Sequence, residues 1–184
     1  MSKNFGAKPF LFPQPVAIIA TYDEEGKANA MNAAWVGIVG MNEIIMDLAS
    51  HKTTKNLATN PDFTISIADV EHVVACDYVG IVSGNNEPDK MEKAGFTARK
   101  SKTVNAPVIN ELPLALECRL IKVIDGSKYL AEIVNVVADE SILGDDGEIS
   151  LEKFHPITYD TVHYGYYALG EKVGTAFHDG KRLM

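Results

Sequence analysis

One polar stretch in the first third of the chain combines residue types that bind anions. Ser50, His51, Lys52 and Thr53 lead into a short segment with helix-forming signals, and Asn56 follows about one turn later. The N–H groups at the start of a helix lack partners within the helix and carry partial positive charge, so they attract phosphate groups. The hydroxyl and ammonium groups add further donors. The stretch therefore indicates a phosphate site, although a capped surface helix with solvated lysines explains the same residues.

The only tryptophan of the chain lies in a run of small residues that indicates a surface for a flat ligand. Asn32, Ala33 and Ala34 precede Trp35, and their short side chains leave backbone amide and carbonyl groups accessible. A heteroaromatic ring could bond to this backbone while the indole covers part of its face. A tightly packed strand with a core tryptophan is the alternative.

Two later segments supply further candidate ligand contacts. Ser83 and Gly84 open a polar loop that includes Lys90, and this loop could fold over a ligand and add one positive charge. Tyr164, Tyr166 and Tyr167 belong to an aromatic segment that borders a ring system or fills a subunit interface, where tyrosine is common. Spacing alone leaves both interpretations of the tyrosines open, and an ordinary surface loop explains the first segment equally well.

Other kinds of chemistry have little support in the sequence. No Gly-x-Ser-x-Gly nucleophile turn occurs, the histidines show no metal-binding spacing, and no Gly-x-Gly-x-x-Gly dinucleotide fingerprint is present. Cys76 and Cys118 are far apart and fit no Cys-x-x-Cys pattern, so they are predicted to be buried thiols. We therefore expect neither a hydrolase nor a metal enzyme.

The charge balance also limits the partners. A net charge of −8 repels the phosphates of nucleic acids and of anionic membrane surfaces, and no basic stripe offsets it. Residues 1–9 contain no apolar signal-peptide core, and no apolar run is long enough to span a bilayer. We therefore expect a cytoplasmic protein that binds neither nucleic acid nor membranes.

The candidate residues must be positioned by a mainly β fold with short helices. Runs of β-branched and aromatic residues predict strands, and hydroxyl, Asn-Pro and lysine signals predict helices. The predicted strands span residues 16–22, 28–39, 44–48, 63–68, 114–124 and 129–138, and the predicted helices span residues 54–60, 70–78 and 90–94. For residues 70–78 the composition suits a strand as well, and the helix is preferred. Asp125 and Gly126 predict a tight hairpin between the two longest strands. In the first of these strands, alternation places Glu117 and Arg119 opposite the apolar side chains.

Several antiparallel hairpins with only short helices favour a closed or partly closed β-barrel. Closure removes the exposed sheet edges that would otherwise pair with other chains. The length fits one hydrophobic core, and no linker or repeat divides the chain. A single domain over residues 1–184 is therefore predicted.

Taken together, these segments resemble the flavin reductase-like family, the FMN-binding split barrels that include flavoredoxin and NAD(P)H:flavin oxidoreductases. The resemblance rests on residues 12–17, 29–37, 53–56, 77–80, 83–84 and 116–119, in this order. It implies a Greek-key-like antiparallel split β-barrel. It also implies a homodimer with FMN at or near the subunit interface.

The resemblance further implies which residues bind FMN. The isoalloxazine ring would meet the backbone around residues 32–35, and the phosphate would be held near Ser50, Lys52, Thr53 and Asn56. The loop residues Ser83, Gly84 and Lys90, together with Tyr164, would be further flavin neighbours. Family members often have an arginine in the phosphate loop, whereas this chain has His51 and Lys52, which replaces a bidentate guanidinium by a point charge.

The expected function is an FMN-dependent oxidoreductase that passes electrons or hydride from NAD(P)H or a protein donor to an acceptor. In such an enzyme the chemistry occurs on the flavin, and no side chain need act as an acid or base. Two alternatives stay open at this point. One is a reductase that releases reduced FMN to a partner enzyme, and the other is a non-catalytic barrel that binds a ligand such as haem.

Overall fold

Twelve strands and three short helices make up the computed structural model, which describes residues 1–184. The strands are β1 (Gln14–Pro15), β2 (Ala17–Tyr22), β3 (Ala28–Ala33), β4 (Val36–Ile38), β5 (Glu43–Asp47), β6 (Asp62–Ile67), β7 (Ala98–Lys100), β8 (Pro107–Ile109), β9 (Leu114–Ile124), β10 (Lys128–Ala138), β11 (Ile157–Asp160) and β12 (Gly165–Ala168). The helices are α1 (Lys52–Thr59), α2 (Val73–Ile81) and α3 (Lys90–Lys93). The prediction of a mainly β chain with short helices is confirmed.

Seven strands form one antiparallel sheet that curls into a half-barrel. The order is β3-β2-β6-β9-β10-β5-β4. The strands β2 and β3 therefore lie at one edge and β4 and β5 at the other, and the later strands β6, β9 and β10 lie between them. A three-stranded sheet, β1-β11-β12, and a two-stranded sheet, β7-β8, complete the fold. All pairings are antiparallel, as the hairpin signals in the sequence predict.

Strand β2 lies in the middle of the structure because both of its faces are buried. Ala17 and Ile19 belong to the core enclosed by the curled sheet, together with Phe63 and Met46. Ile18, on the opposite face, belongs to a second core that is covered by α2 and the loops. A strand that is buried on both faces reads as a continuous apolar run, which is why this segment was predicted from its composition alone.

The two predicted hairpins are confirmed. Strands β2 and β3 pair directly, and β9 pairs with β10 through the turn at Asp125 and Gly126. Both residues have positive φ, at 50° and 76°, in the three-residue loop between the paired residues Ile124 and Lys128. The left-handed conformation strains a residue with a Cβ, and aspartate is among the residues that tolerate it best.

Three local predictions need correction. The predicted strand over residues 28–39 is two strands, β3 and β4, because the chain breaks at Ala34 and Trp35. The polar loop that opens at Ser83 continues past α3 into the hairpin of β7 and β8, which was not predicted. Glu117 is buried despite its predicted polar face, because it accepts hydrogen bonds from Ser101 Oγ at 2.5 Å and Asn135 Nδ2 at 2.7 Å.

Two further observations complete the fold. Cys76 and Cys118 are free and buried, and burial raises the pKa of each thiol to about 12. Neither thiol is therefore a nucleophile near neutral pH. None of the helices is both long enough and apolar enough to cross a membrane.

Candidate functional site

The start of α1 carries the first group of predicted site residues. The backbone N–H of His51 donates to Thr54 Oγ1 at 2.9 Å, and this hydroxyl donates back to the His51 carbonyl at 3.0 Å. This reciprocal pair closes the first turn of the helix, whose leading N–H groups lack partners within the helix. Lys52 lies 3.2 Å from Asp23, which holds its ammonium group at the same corner.

A buried side-chain contact connects this corner to the sheet. Thr53 is fully buried, and its hydroxyl oxygen accepts a hydrogen bond from Asn29 Nδ2 of β3 at 2.9 Å. Gly84 passes close to the same amide, because a Cβ built at residue 84 would lie 2.1 Å from Asn29 Oδ1. Only glycine therefore allows the loop to approach this closely without displacing Asn29.

Lys90 is an unusual lysine because it is only 3% exposed. Its ammonium group donates to the carbonyl oxygens of Val79 at 3.0 Å and Val82 at 2.9 Å, at the carboxyl end of α2. Burial lowers the pKa of Lys90 to about 8. The side chain thus connects α3 to the end of α2 and places a cation beside the α1 corner.

These groups surround a small cavity of about 120 Å³, which we call the cationic cavity. Its lining includes three basic side chains and no aspartate or glutamate. The lining residues that carry polar or charged side chains are Asn29, Asn32, His51, Lys52, Thr53, Ser83 and Lys90. An anionic group fits this composition, because basic side chains, a buried hydroxyl and a helix start converge on one space.

The break between β3 and β4 forms the second part of the site. The Val36 N–H bonds back to the Ala34 carbonyl at 3.0 Å, and the Trp35 carbonyl accepts from the Asp47 N–H at 2.9 Å. The tight turn leaves the Trp35 side chain 50% exposed instead of buried in the core. The alternative of a core tryptophan in a continuous strand is therefore wrong.

A larger cavity of about 330 Å³ lies at this break, and we call it the tyrosine cavity. Its lining residues are Asn32, Ala33, Ala34, Trp35, Asp77, Gly80, Ile81, Tyr159, Tyr164 and Tyr166. Tyr164 has a φ of 59° and is 78% exposed, so its ring is directed outward from the β11-β12 turn. Tyr166 donates its phenolic proton to Asp77 Oδ1 at 2.7 Å. Burial and this carboxylate both raise the pKa of Tyr166.

The two cavities adjoin, since Asn32, Gly80 and Ile81 line both. At this junction, Asn32 Nδ2 donates to the Cys76 carbonyl at 3.0 Å, which fixes α2 against β3. A Cβ built at Gly80 would lie 2.8 Å from Asn32 Cβ, so α2 approaches the strand closely. The volumes together fall in the range of roughly 300–1,000 Å³ that is typical of small-molecule sites.

Most of the predicted site residues converge on this pair of cavities. Those that line one or both are Asn32, Ala33, Ala34, Trp35, His51, Lys52, Thr53, Ser83, Gly84, Lys90 and Tyr164. Ser50 and Asn56 line neither. Ser50 is exposed, and the buried amide of Asn56 donates to Thr21 Oγ1 at 2.9 Å, which fixes α1 to β2.

Three lining residues, Asn29, Asp77 and Tyr166, lie in segments singled out from the sequence, but these residues were not assigned to FMN. Asn29 lies three residues before Asn32 on β3, so strand alternation places their side chains on opposite faces and does not predict that both line one cavity. Asp77 and Tyr166 are far apart in sequence, and their contact depends on how α2 crosses the sheet. No local signal in the sequence predicts such a contact.

Another large cavity lies away from these residues. It measures about 380 Å³ and is lined at the opposite end of α2 by Asp69, His72 and His155, with charges of both signs around it. It contains none of the predicted site residues. Across the chain, no group of three or more His, Cys, Asp or Glu side chains is placed to hold a metal ion.

Comparison with known proteins decides the family. The sequence model described as "Flavin reductase like domain" matches residues 10–167. The chain belongs to the flavin reductase-like family. The structure of flavoredoxin from Desulfovibrio vulgaris (Miyazaki F) superimposes with a TM-score of 0.94 at 37% sequence identity, over 98% of this chain and 100% of that one. Flavoredoxin from Methanosarcina acetivorans gives a TM-score of 0.88 at 27% identity, and both chains are covered completely.

A more distant member shows how far the fold extends. The FMN-binding domain of a flavin reductase-like enzyme from Shewanella baltica has a TM-score of 0.79 at 19% identity, over 88% of this chain and 89% of that one. The predicted split β-barrel is therefore confirmed. For this flavin reductase-like chain, the family and its neighbours support a flavin cofactor and a redox role.

Proposed function

We propose that the protein binds FMN across the cationic and tyrosine cavities and acts as a flavin-dependent oxidoreductase. It passes electrons or hydride from NAD(P)H or a reduced protein to an acceptor. The observation that carries the proposal is the contact between two cavities of different chemistry. One is basic and suits a phosphate, and the other is aromatic and suits a ring system, with Asn32 shared between them.

The cationic cavity fits the phosphate of FMN. Lys52 and His51 lie at the start of α1, and Thr53 offers a hydroxyl whose oxygen already accepts from Asn29. Its own proton is thus available for an anionic oxygen in the cavity. The missing Cβ at Gly84 keeps the loop close to this donor set. A lysine in place of arginine gives a point charge, so its contact is less directional.

The tyrosine cavity fits the isoalloxazine ring. Ala33 and Ala34 line the cavity at the strand break, and Trp35 and Tyr164 contribute aromatic surface to its wall. Aromatic side chains and directed backbone groups are the usual lining of a site for a flat heterocycle. The neighbour from Shewanella baltica is described as FMN-binding, which supports FMN as the flavin here.

When bound, FMN supplies the hydride or electron transfer itself. The residues of this chain hold the phosphate, orient the ring edge against the backbone of β3, and exclude water from one side of it. The hydrogen bond from Tyr166 to Asp77 keeps the aromatic wall in place. We assign no acid or base role to a side chain.

A homodimer is part of the proposal. Trp35 and Tyr164 are largely exposed, and Ile38 on the edge strand β4 is 64% exposed. Exposed apolar groups that are this close to a cofactor site suit a subunit interface, where aromatic residues are enriched. A second copy placed there would cover the open side of the tyrosine cavity. The cytoplasmic location stays a prediction.

One series of measurements tests the function. Absorbance of the purified protein and titration with FMN should give a flavin spectrum and stoichiometric binding. Anaerobic additions of NADH, NADPH and a reduced carrier protein should then reduce the bound flavin with at least one donor. Absence of flavin binding contradicts the proposal. Bound flavin that no donor reduces, or binding of haem instead, favours the non-catalytic barrel.

The same preparation separates an enzyme with bound flavin from a reductase that releases it. Steady-state rates are measured while free FMN is varied. A prosthetic group gives rates that do not depend on free FMN above stoichiometry, whereas a diffusing substrate gives saturation kinetics in FMN. The result identifies which of the two enzyme types the protein is.

A further inference from the structure

The tyrosine cavity continues along the outer surface of α2. A cavity of about 310 Å³ is lined by Val73, Val74, Asp77, Tyr78, Ile81 and Tyr166. Three of these residues, Asp77, Ile81 and Tyr166, also line the tyrosine cavity. The two spaces therefore form one continuous depression, and we call the part along the helix the α2 groove.

The apolar surface of the α2 groove is unusual for a surface helix. Cys76 and Val79 face the core, yet Val74 and Ile81 on the outer side are 78% and 75% exposed. A surface helix normally presents polar side chains to water. Contiguous exposed apolar surface next to a cofactor site is typical of a binding site.

The charges of the two ends of the site are opposite. Asp77 is the only charged residue in the combined lining of the tyrosine cavity and the α2 groove, whereas the cationic cavity has basic residues and no carboxylate. Asp77 Oδ1 accepts the proton of Tyr166 at 2.7 Å, and the carboxylate forms no ion pair. A ligand in the groove therefore meets one uncompensated negative charge.

We propose that the α2 groove binds an organic acceptor that takes electrons from the flavin, and that Asp77 determines the charge of this acceptor. The preferred substrate is a flat, largely apolar molecule that is neutral or positively charged. A carboxylate on such a molecule is repelled by Asp77, and no lysine, arginine or histidine of the groove compensates it. The inference rests on the proposed function, because it places the flavin in the adjoining cavities.

The phosphate of FMN and an anionic substrate would meet opposite ends of the site. The phosphate of FMN belongs at the basic end, where Lys52 and Lys90 lie. The substrate end lacks basic groups, so an anionic substrate gains nothing there and loses its hydration. Specificity then arises from repulsion of the wrong molecule as much as from attraction of the right one.

Three probes of equal shape and different charge test this. Equilibrium dialysis measures binding of naphthylmethylammonium, naphthalenemethanol and naphthoate to the protein with FMN bound and to the flavin-free protein. The cation should bind about tenfold more tightly than the anion, which corresponds to about 1.4 kcal/mol, and the alcohol should lie between them. Equal binding of cation and anion by the wild-type protein would overturn the proposal.

Variants assign the preference to one carboxylate. Asp77→Asn keeps an acceptor for Tyr166 and should lose the preference for the cation. Glu25→Gln removes the same charge at an exposed turn outside the groove and should retain it. Tyr166→Phe leaves the carboxylate in place, so its preference should be at least as large as in the wild-type protein. Retention of the preference in Asp77→Asn, or its loss in Tyr166→Phe, overturns the role of Asp77.

Measurements with and without FMN distinguish a failure of the proposed function from a failure of the groove assignment. If FMN fails to bind but the preference depends on Asp77, the groove is a selective site and the proposed function is wrong. If FMN binds and is reduced but the charge of the probe has no effect, the function stands and the assignment of the groove is wrong.

Discussion

The side-chain amide of Asn29 donates to the buried hydroxyl of Thr53 over 2.9 Å, so the hydroxyl oxygen accepts and its own proton points away from the amide. An oxygen that accepts from one side donates on another, and no protein group accepts this proton. Thr53 lines the cationic cavity, so the free donor is available there to an anion. A strand residue thus orients a donor at the start of a helix.

The close approach of the loop to Asn29 can be tested by adding one methyl group. In Gly84→Ala, the new Cβ would lie 2.1 Å from Asn29 Oδ1, so the amide or the loop must move. We expect the free energy of unfolding to fall by about 1–3 kcal/mol, the usual range for overpacking. FMN affinity should fall by about tenfold as Thr53 loses its orientation. Urea unfolding and FMN titration measure the two effects.

The matched control for this variant is Gly170→Ala. A Cβ at Gly170 meets nothing within 4 Å, so stability and FMN affinity should both stay at wild-type values. Unchanged FMN binding in Gly84→Ala would show that the position of the loop does not matter for the cofactor.

The sequence predicted this region only in part. Lys52, Thr53, Ser83 and Gly84 were predicted from residue type and from resemblance, since hydroxyls, glycines and lysines near a helix start are a local signal. Asn29 lies in the segment 29–37 that carries the resemblance, but its contact with Thr53 was not predicted, because it joins residues 24 positions apart in the chain. Such pairs depend on the tertiary packing of α1 against β3, which local patterns do not encode.

The buried ammonium group of Lys90 should make the free energy of unfolding depend on pH. The pKa of Lys90 is lowered to about 8 in the folded protein, against an ordinary value of 10.5 for an unfolded lysine. Between these values the unfolded chain binds more protons, so the free energy of unfolding rises with pH. Above pH 9 the two buried thiols oppose this rise, because their raised pKa makes the folded protein bind more protons than the unfolded chain. The contribution of Lys90 is therefore the difference in free energy of unfolding between the wild-type protein and Lys90→Met, which should rise by about 1–3 kcal/mol between pH 8 and pH 10.5. Urea unfolding of both proteins across this pH range measures the difference.

A difference in free energy of unfolding between the wild-type protein and Lys90→Met that stays constant from pH 8 to pH 10.5 would contradict this prediction. It would mean that the carbonyls of Val79 and Val82 hold the ammonium group charged up to its ordinary pKa. Lys93→Met serves as a control, because Lys93 is exposed and its removal should leave the pH dependence unchanged.

The only tryptophan provides a direct report on the ring site. Trp35 lines the tyrosine cavity, so binding of FMN should quench its fluorescence with one-to-one stoichiometry. In Trp35→Phe, affinity should fall by about threefold to tenfold, the value of one aromatic contact. Phe177→Leu, at an exposed position outside the cavity lining, should bind as tightly as the wild-type protein. Saturation of the protein with FMN without a change in tryptophan emission would place the flavin elsewhere.

The strand break shows why the sequence did not predict the whole site. The run from Ala28 to Val39 has strand-forming composition throughout, so a single strand was predicted. Ala34 and Trp35 lie outside the strands because two backbone hydrogen bonds turn the chain toward β5. One joins the Val36 N–H to the Ala34 carbonyl, and the other joins the Asp47 N–H to the Trp35 carbonyl. Strand composition predicts that the segment forms strand structure but not the point at which it bends. For the fully buried β2, by contrast, the continuous apolar run was enough to predict the strand.

The central claim is that one FMN molecule extends from the basic corner at Lys52 to the ring surface at Trp35. It is tested most directly by comparing FMN with riboflavin in flavin-fluorescence titrations of the wild-type protein, Lys52→Gln and Lys55→Gln. Lys55 is exposed and lines neither cavity, so it is the matched control. We predict that Lys52→Gln weakens FMN about tenfold and riboflavin hardly at all, and that Lys55→Gln changes neither. Equal affinity of the wild-type protein for FMN and riboflavin would contradict the account.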